Sequence, residues 1–314
     1  MPTKPSPPAL ADLDLHPGQS LALLQELHIL TREGRINQDS RRKLKQVKHL
    51  LQFIEPLLQQ ALQQRGDVTL VDHGAGKSYL GFMLYDRFLQ GRSAGRVIGI
   101  EARAELVQRA QALAQRLGFA RMEFVAATVQ QALDHPALAL RPDLVTALHA
   151  CDTATDDAIA FALARQAQHV LLVPCCQAEV AAALRRHKSL QGAQPSGAPA
   201  HETAHETADE PAPEPAGGRP APAPLSALWQ RPLHTREFGS HITNVLRCLQ
   251  LEAHGYAVTV TELVGWEHSM KNELIVARKV GAPQPRARQR LLELLHTLGL
   301  PELQQRFAPP PDAT

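Results

Sequence analysis

An acid and two glycines occupy the connection between a predicted strand and a predicted helix in the first third of the chain. Residues 68–80 read VTLVDHGAGKSYL, and the apolar, β-branched start predicts a buried parallel strand ending at Asp72. Gly74 and Gly76 follow, and Ser78–Gln90 predicts a helix that begins with a capping-type residue. Glycines let backbone N–H groups approach a ligand, and a helix N-terminus favours negative charge. The unit is typical of a nucleotide-binding α/β fold.

Three ligand loops fit parts of this stretch. A phosphate-binding P-loop needs a glycine where the chain has Val71, and a dinucleotide loop needs a third glycine where it has Tyr79. The acid-x-Gly-x-Gly loop that binds S-adenosylmethionine (SAM) is matched in full by Asp72, Gly74, Ala75 and Gly76 with their neighbours. There the acid would face the ammonium of SAM, and free loop N–H groups its carboxylate. A purely structural turn stays as the alternative.

A second acid strengthens the SAM interpretation. Arg96–Glu101 reads RVIGIE, a second buried strand that ends 25 positions after Gly76. A carboxylate at the end of the neighbouring strand can accept hydrogen bonds from both ribose hydroxyls, the geometry that dinucleotide folds also use. We therefore expect Glu101, with its neighbour Ala102, at the ribose. We expect Ala127 and Thr128, after the third strand, beside the adenine.

Strands and helices alternate after Asp67, which predicts a parallel sheet with helices on both faces. The further strands are predicted at Met122–Ala126, Asp143–His149 and His169–Pro174, and a closing hairpin at Tyr256–Val264 and Asn272–Val280. Such a hairpin at the end of a parallel sheet is typical of class I methyltransferases. The predicted fold is a Rossmann-like, seven-stranded mixed sheet, with its ligand beyond the carboxyl ends of the strands.

A basic helix precedes this core. Asp39–Gln64 has apolar residues at helical spacing, and Pro56 should kink it or split it in two. Its first half, Arg41–His49, carries five Lys and Arg residues and a histidine. This is either a solvated face or an RNA contact beside the SAM pocket.

Composition limits the remaining possibilities. The chain has 314 residues, 44% of them hydrophobic, and a net charge of +2, so any nucleic-acid contact must come from a local patch. Four cysteines make no disulfide framework, and no apolar signal or membrane-spanning run is present. We expect a cytoplasmic protein without membrane or metal partners; composition is silent on oligomeric state.

The predicted organisation alternates ordered and low-complexity segments. The latter cannot bury a core. In chain order the predictions are a disordered N-terminus (1–18), a helical extension (19–65), the first part of the core (66–190), a disordered insert (191–226), the last core helix with the hairpin (227–281) and a peripheral helical tail (282–314).

Three motifs together resemble a known methyltransferase-domain family. Its members carry a D-x-G-x-G-K/R-x-Y/F-L loop, an L-H-A-C-G strand end and a P-C-C end to the fifth strand. The chain matches them at Asp72–Leu80, Leu148–Cys151 and Pro174–Cys176, and the family's E-H-T-P-K-N loop at Glu267–Asn272. Asp152 replaces the family's glycine, and Ser269-Met270 replace Thr-Pro. The resemblance implies SAM as cofactor, and eukaryotic relatives linked to tRNA modification favour RNA as acceptor.

Candidate catalytic residues follow the fourth and fifth strands. His149 is placed to act as a base near the methyl group, or is a structural histidine. Cys175 and Cys176, with Cys151, lie after the strands where RNA cytosine-C5 methyltransferases carry their cysteines, or are buried packing residues. A zinc site lacks a second C-x-x-C pair. Protein or small-molecule acceptors, and a SAM-binding module without catalysis, remain alternatives.

Overall fold

A seven-stranded sheet forms the centre of the computed structural model, which describes residues 15, 19–148, 150, 152–174, 178–192, 225, 227–263 and 273–308. The strand order is β3-β2-β1-β4-β5-β7-β6, and β7 runs antiparallel to both β5 and β6 while the other pairs are parallel. This confirms the predicted class I methyltransferase topology. The strands are β1 Thr69–His73, β2 Arg96–Glu101, β3 Met122–Ala126, β4 Leu144–Leu148, β5 His169–Val173, β6 Tyr256–Glu262 and β7 Glu273–Lys279.

The central strands are buried along their length because helices cover them. All five residues of β1 are buried, as are five of the six in β2. Parallel pairing sets Asp72 opposite both Gly99 and Thr146, so the carboxyl ends of β1, β2 and β4 lie at one edge of the sheet. That edge is where a doubly wound sheet binds its ligand.

Ten α-helices lie within the described part of the chain. They are α1 Leu21–Glu26, α2 Gln38–Arg65, α3 Tyr79–Leu84, α4 Ala104–Arg116, α5 Val129–Asp134, α6 Thr153–Ala164, α7 Glu179–Gly192, α8 Pro232–Ala253, α9 Pro285–Thr297 and α10 Gln304–Phe307. None of them is both long and apolar enough to cross a bilayer. The sequence predicts no helix at α5 or α7, and its apolar spacing over Ser20–Thr31 predicts an α1 several residues longer than the one observed.

Helix α2 is continuous through Pro56, so the expected split does not occur. Its 28 residues begin at the side-chain cap of Asn37 and end at Gly66, whose φ of 73° closes the helix in the left-handed region. One face is buried in the main core through residues that include Leu44, Val47, Leu51, Ile54 and Leu58. This apolar stripe offsets the hydrogen bond that proline removes.

The described residues form two compact units. The first consists of residues 1–176 and 254–282 and holds the whole sheet with α1 to α6. The second consists of residues 177–253 and 283–314 and holds α7 to α10. The contacts thus group α8 with the C-terminal helices, whereas the sequence placed it with the hairpin in segment 227–281. Most of the predicted N-terminal tail and of the 191–226 insert lies outside the described residues.

The second unit has its own core of helix faces. Leu246, Leu291 and Leu295 are almost fully buried in it, together with Trp229 and Phe307. Gly239 of α8 lies so close to Ala181 of α7 that a Cβ there would approach its backbone to 2.7 Å. Only glycine therefore fits this crossing.

Candidate cofactor site

The glycine loop is fixed to the neighbouring strand by its own backbone. Gly74 and Gly76 have φ values of 66° and 57°, in the region that disfavours other residues. The Ala75 N–H donates to the Ile100 carbonyl at 2.9 Å, and the Gly76 N–H donates to Glu101 Oε2 at 2.8 Å. Two of the N–H groups expected to be free for a cofactor carboxylate are therefore already used, because the loop closes over the end of β2.

Glu101 accepts four hydrogen bonds from the chain, including one from Arg103 Nη2 to Oε2 at 3.4 Å. Besides the Gly76 N–H, its Oε1 accepts from the backbone N–H of Arg103 at 3.1 Å and from Arg103 Nε at 2.9 Å. Burial alone would raise the pKa of this carboxyl, but the bonds from Arg103 and Gly76 outweigh it and lower the pKa below its usual value. Glu101 is therefore ionised at neutral pH.

Asp72 holds the loop and the sheet together. Its Oδ1 accepts from Thr146 Oγ1 of β4 at 2.9 Å, and its Oδ2 accepts from Ser78 Oγ at 3.2 Å. Burial raises the pKa of Asp72 to about 6, against the lowering effect of the two hydroxyls. Ser78 occupies the N-cap position of α3, as its sequence position predicted, but its side chain makes no cap bond because its hydroxyl donates to the buried Asp72 instead.

One cavity of about 270 Å³ connects these residues with the basic helix. Asp72, Gly74, Ala75 and Gly76 line it from the sheet edge. Lys43, Gln46 and Val47 line it from α2, and Lys77, Tyr79, Leu80, Arg103 and Leu148 complete the wall. Its volume is at the lower end of small-molecule sites. The sequence missed Lys77 and Arg103 as site residues, although Arg103 follows Glu101 by two positions.

The residues predicted beside the adenine lie next to the end of β3. Ala127 is buried, and its N–H donates to the Glu101 carbonyl at 3.2 Å. Thr128 caps α5 in a capping box with Gln131, so its hydroxyl already has a structural task. Ala102 is exposed beside Glu101. Their contact with a cofactor stays a prediction.

His73 is a buried polar residue to which the sequence gave no role. The residue is 5% exposed, and neither ring nitrogen has a hydrogen-bond partner among the described residues. Its ring lies 5.8 Å from that of Phe161 in α6, and burial lowers its pKa to about 4. The imidazole is therefore neutral at physiological pH.

The catalytic candidates His149, Cys175 and Cys176 lie outside the described residues, as do Cys151 and the predicted loop Glu267–Asn272. Their roles stay predictions. No group of three metal-binding side chains occurs among the residues that are described.

Residues 42–183 match the model of a protein family described as a methyltransferase domain. The match covers less than half of the chain, and the strand order is the one predicted for a class I methyltransferase fold. A search of curated proteins found no match to the chain.

Several solved methyltransferases are similar in part. Precorrin-6y C5,15-methyltransferase from Geobacter metallireducens is 16% identical over 34% of this chain and 52% of that chain, with a TM-score of 0.27. An rRNA methylase from Streptococcus thermophilus is 9% identical over 68% and 88%, with a TM-score of 0.35. TrmK of M. capricolum, in complex with S-adenosyl-homocysteine, is 10% identical over 38% and 52%, with a TM-score of 0.29. The chain thus spans about half of the Geobacter protein, and such low scores carry no information on its own acceptor.

Proposed function

We propose that this protein is a SAM-dependent methyltransferase. The observation that carries the proposal is the 2.8 Å bond from the Gly76 N–H to Glu101 Oε2, which joins the acid-x-Gly-x-Gly loop to the acid of the next strand. Glu101 is ionised and bonded to Gly76 and Arg103, two residues that line the cavity, and an ionised carboxylate can accept from both ribose hydroxyls. In this assignment Asp72, Gly74, Ala75 and Gly76 hold the methionine part. Ala102, Ala127 and Thr128 border the nucleoside.

Bound SAM would supply an activated methyl group on its sulfonium. The protein has to align an acceptor atom with that methyl and exclude other nucleophiles, and positioning can supply most of the rate. A base is required only if the acceptor loses a proton in the transition state. His149 is the candidate for that role, and Cys175 and Cys176 are candidates if the acceptor is a pyrimidine carbon.

The proposed acceptor is RNA, because the cavity has a positively charged wall. Lys43 belongs to the basic segment Arg41–His49 of α2, and it lines the same cavity as the loop, together with Lys77 and Arg103. Neither Lys43 nor Lys77 forms an ion pair or hydrogen bond with any residue that the structure describes. Cations without partners beside a reaction centre favour a phosphate-bearing acceptor.

Transfer of labelled methyl from SAM tests the proposal. Purified protein is added to an extract of cells that lack it, and the product is divided and digested with ribonuclease or protease. We expect ribonuclease alone to release the label, and Lys43→Gln to lower the transfer while leaving SAM affinity unchanged. Label released only by protease would replace RNA by a protein acceptor. If no macromolecule is labelled but calorimetry shows that SAM still binds, the acceptor is a small molecule or the protein binds SAM without catalysis.

A further inference from the structure

A second cavity, of about 320 Å³, lies beside α4 in the first unit and shares one lining residue, Lys77, with the site described above. Its apolar wall is formed by Leu27 after α1, Phe82 of α3, and the inward face of α4, which contributes Leu106, Ala110 and Leu113. Leu27, Phe82, Ala110 and Leu113 of this wall are buried, so the floor of the cavity belongs to the hydrophobic core.

Positive charge surrounds the opening of this cavity. Lys77, Arg109 and Arg116 line it, together with His28. Its one carboxylate, Glu26, is already paired with Arg116 at 3.0 Å. Lys77 and Arg109 are exposed and make no hydrogen bond or ion pair within the described ranges. Two cations without partners over an apolar recess are complementary to a ligand with one apolar part and one anionic part.

The two cavities share a residue. Lys77 lines both the recess beside α4 and the cavity that contains the glycine loop. An extended acceptor that reaches the glycine loop can therefore continue past Lys77 to Arg109. Lys43, which lines the first cavity from α2, adds a further cation. A ligand with regularly repeated negative charges and flat apolar groups fits this arrangement, and single-stranded RNA has both.

We propose that the recess beside α4 binds one nucleotide of the acceptor RNA. The base enters the apolar recess, and the adjoining phosphate lies between Lys77 and Arg109. This inference rests on the proposed function, since it names where the acceptor is held. It assigns Arg109 and the α4 surface to substrate binding, which the loop motifs do not do.

Binding of a fluorescein-labelled, mixed-sequence 12-nucleotide RNA, followed by anisotropy at several salt concentrations, tests the inference. Arg109→Gln removes one phosphate contact, so RNA affinity should fall roughly fivefold. The slope of log affinity against log salt should become shallower by about 0.7. Ala112→Trp fills the opening without changing charge, because Ala112 is exposed and lines the recess. It should also weaken RNA binding. Arg185→Gln is the matched control, an exposed arginine of α7 that lines neither cavity.

SAM affinity, measured by calorimetry on the same variants, separates this inference from the proposed function. We expect it to be unchanged in all three variants. RNA binding that is insensitive to Ala112→Trp would overturn the recess as a base site, even with normal SAM binding. Equal losses in Arg109→Gln and Arg185→Gln would show a diffuse charge effect and also overturn it. Binding of AMP without binding of RNA, or displacement of RNA by poly-glutamate of equal charge at equal concentration, would refute RNA as the occupant.

Discussion

Replacing Glu101 tests the centre of the proposed cofactor site. Its carboxylate accepts from the Gly76 N–H of the glycine loop, and in the proposed function it also accepts from the ribose hydroxyls. Glu101→Ala removes both functions. Glu101→Gln keeps a neutral oxygen that can accept from the Gly76 N–H and removes the charge.

The expected magnitude follows from the number and type of bonds. The Glu101 side chain is only 8% exposed, so solvent screens its bonds weakly. Loss of a hydrogen bond to a charged acceptor contributes roughly 1–3 kcal/mol, which corresponds to a roughly 5- to 150-fold weaker affinity for SAM in Glu101→Ala. Glu101→Gln should lose less. Arg103, whose side chain is 61% exposed, shares this carboxylate. Arg103→Ala should leave SAM affinity equal or up to about fivefold tighter, because it frees one oxygen at little cost.

Calorimetric titration of each variant with SAM provides the assay, and thermal unfolding shows whether the variant is folded. Hydrogen exchange of the Gly76 amide then separates loss of the loop bond from loss of the ribose contact. It should become faster in Glu101→Ala and stay slow in Glu101→Gln. A folded Glu101→Ala protein that binds SAM as tightly as the wild type would show that the ribose lies elsewhere.

Three further predictions concern Asp72 and His73 at the end of β1 and Gly74 of the glycine loop. Burial raises the pKa of Asp72 from 3.8 to about 6, so its folded form favours the proton. Wild type should therefore lose about 2 kcal/mol of unfolding free energy relative to Asp72→Asn as pH rises from about 4 to 6. Burial lowers the pKa of His73 from 6.5 to about 4, so its folded form favours the neutral imidazole and stability falls as pH falls. Wild type should lose about 3 kcal/mol of unfolding free energy relative to His73→Phe as pH falls from about 6.5 to 4. Gly74→Ala should destabilise by about 1–2 kcal/mol and weaken SAM binding, because its φ is 66° and the new Cβ would lie 3.3 Å from that of Ala150.

Urea unfolding at a series of pH values measures the first two effects, and a difference between variant and wild type that does not change with pH would contradict either one. For the glycine, Gly118→Ala is the matched control. It has a similar φ of 70° but open space around the added Cβ. If both variants lose equal stability and neither affects SAM, the contact with Ala150 has no role in the loop.

The strands were predictable because each is a short, continuous apolar run between turn residues. Met122–Ala126 agrees with its prediction at both ends, and the closing hairpin agrees within two residues. The partners of capping side chains were less predictable than the helix starts, as Ser78 shows. A serine after a glycine loop predicts a cap from local sequence, but a buried carboxylate six residues earlier competes for the same hydroxyl.

By itself the sequence determined the order of strands and helices, the acid-x-Gly-x-Gly loop and the acid that ends the second strand. These depend on neighbouring residues, whose periodicity and turn chemistry are local. Only the tertiary structure decided that Arg103 covers Glu101, that Thr146 supports Asp72 from 74 residues away, and that Lys43 of a separate helix shares a cavity with the glycine loop. Such contacts depend on strand register and on which helix face is buried, and both are set when distant apolar surfaces pack together.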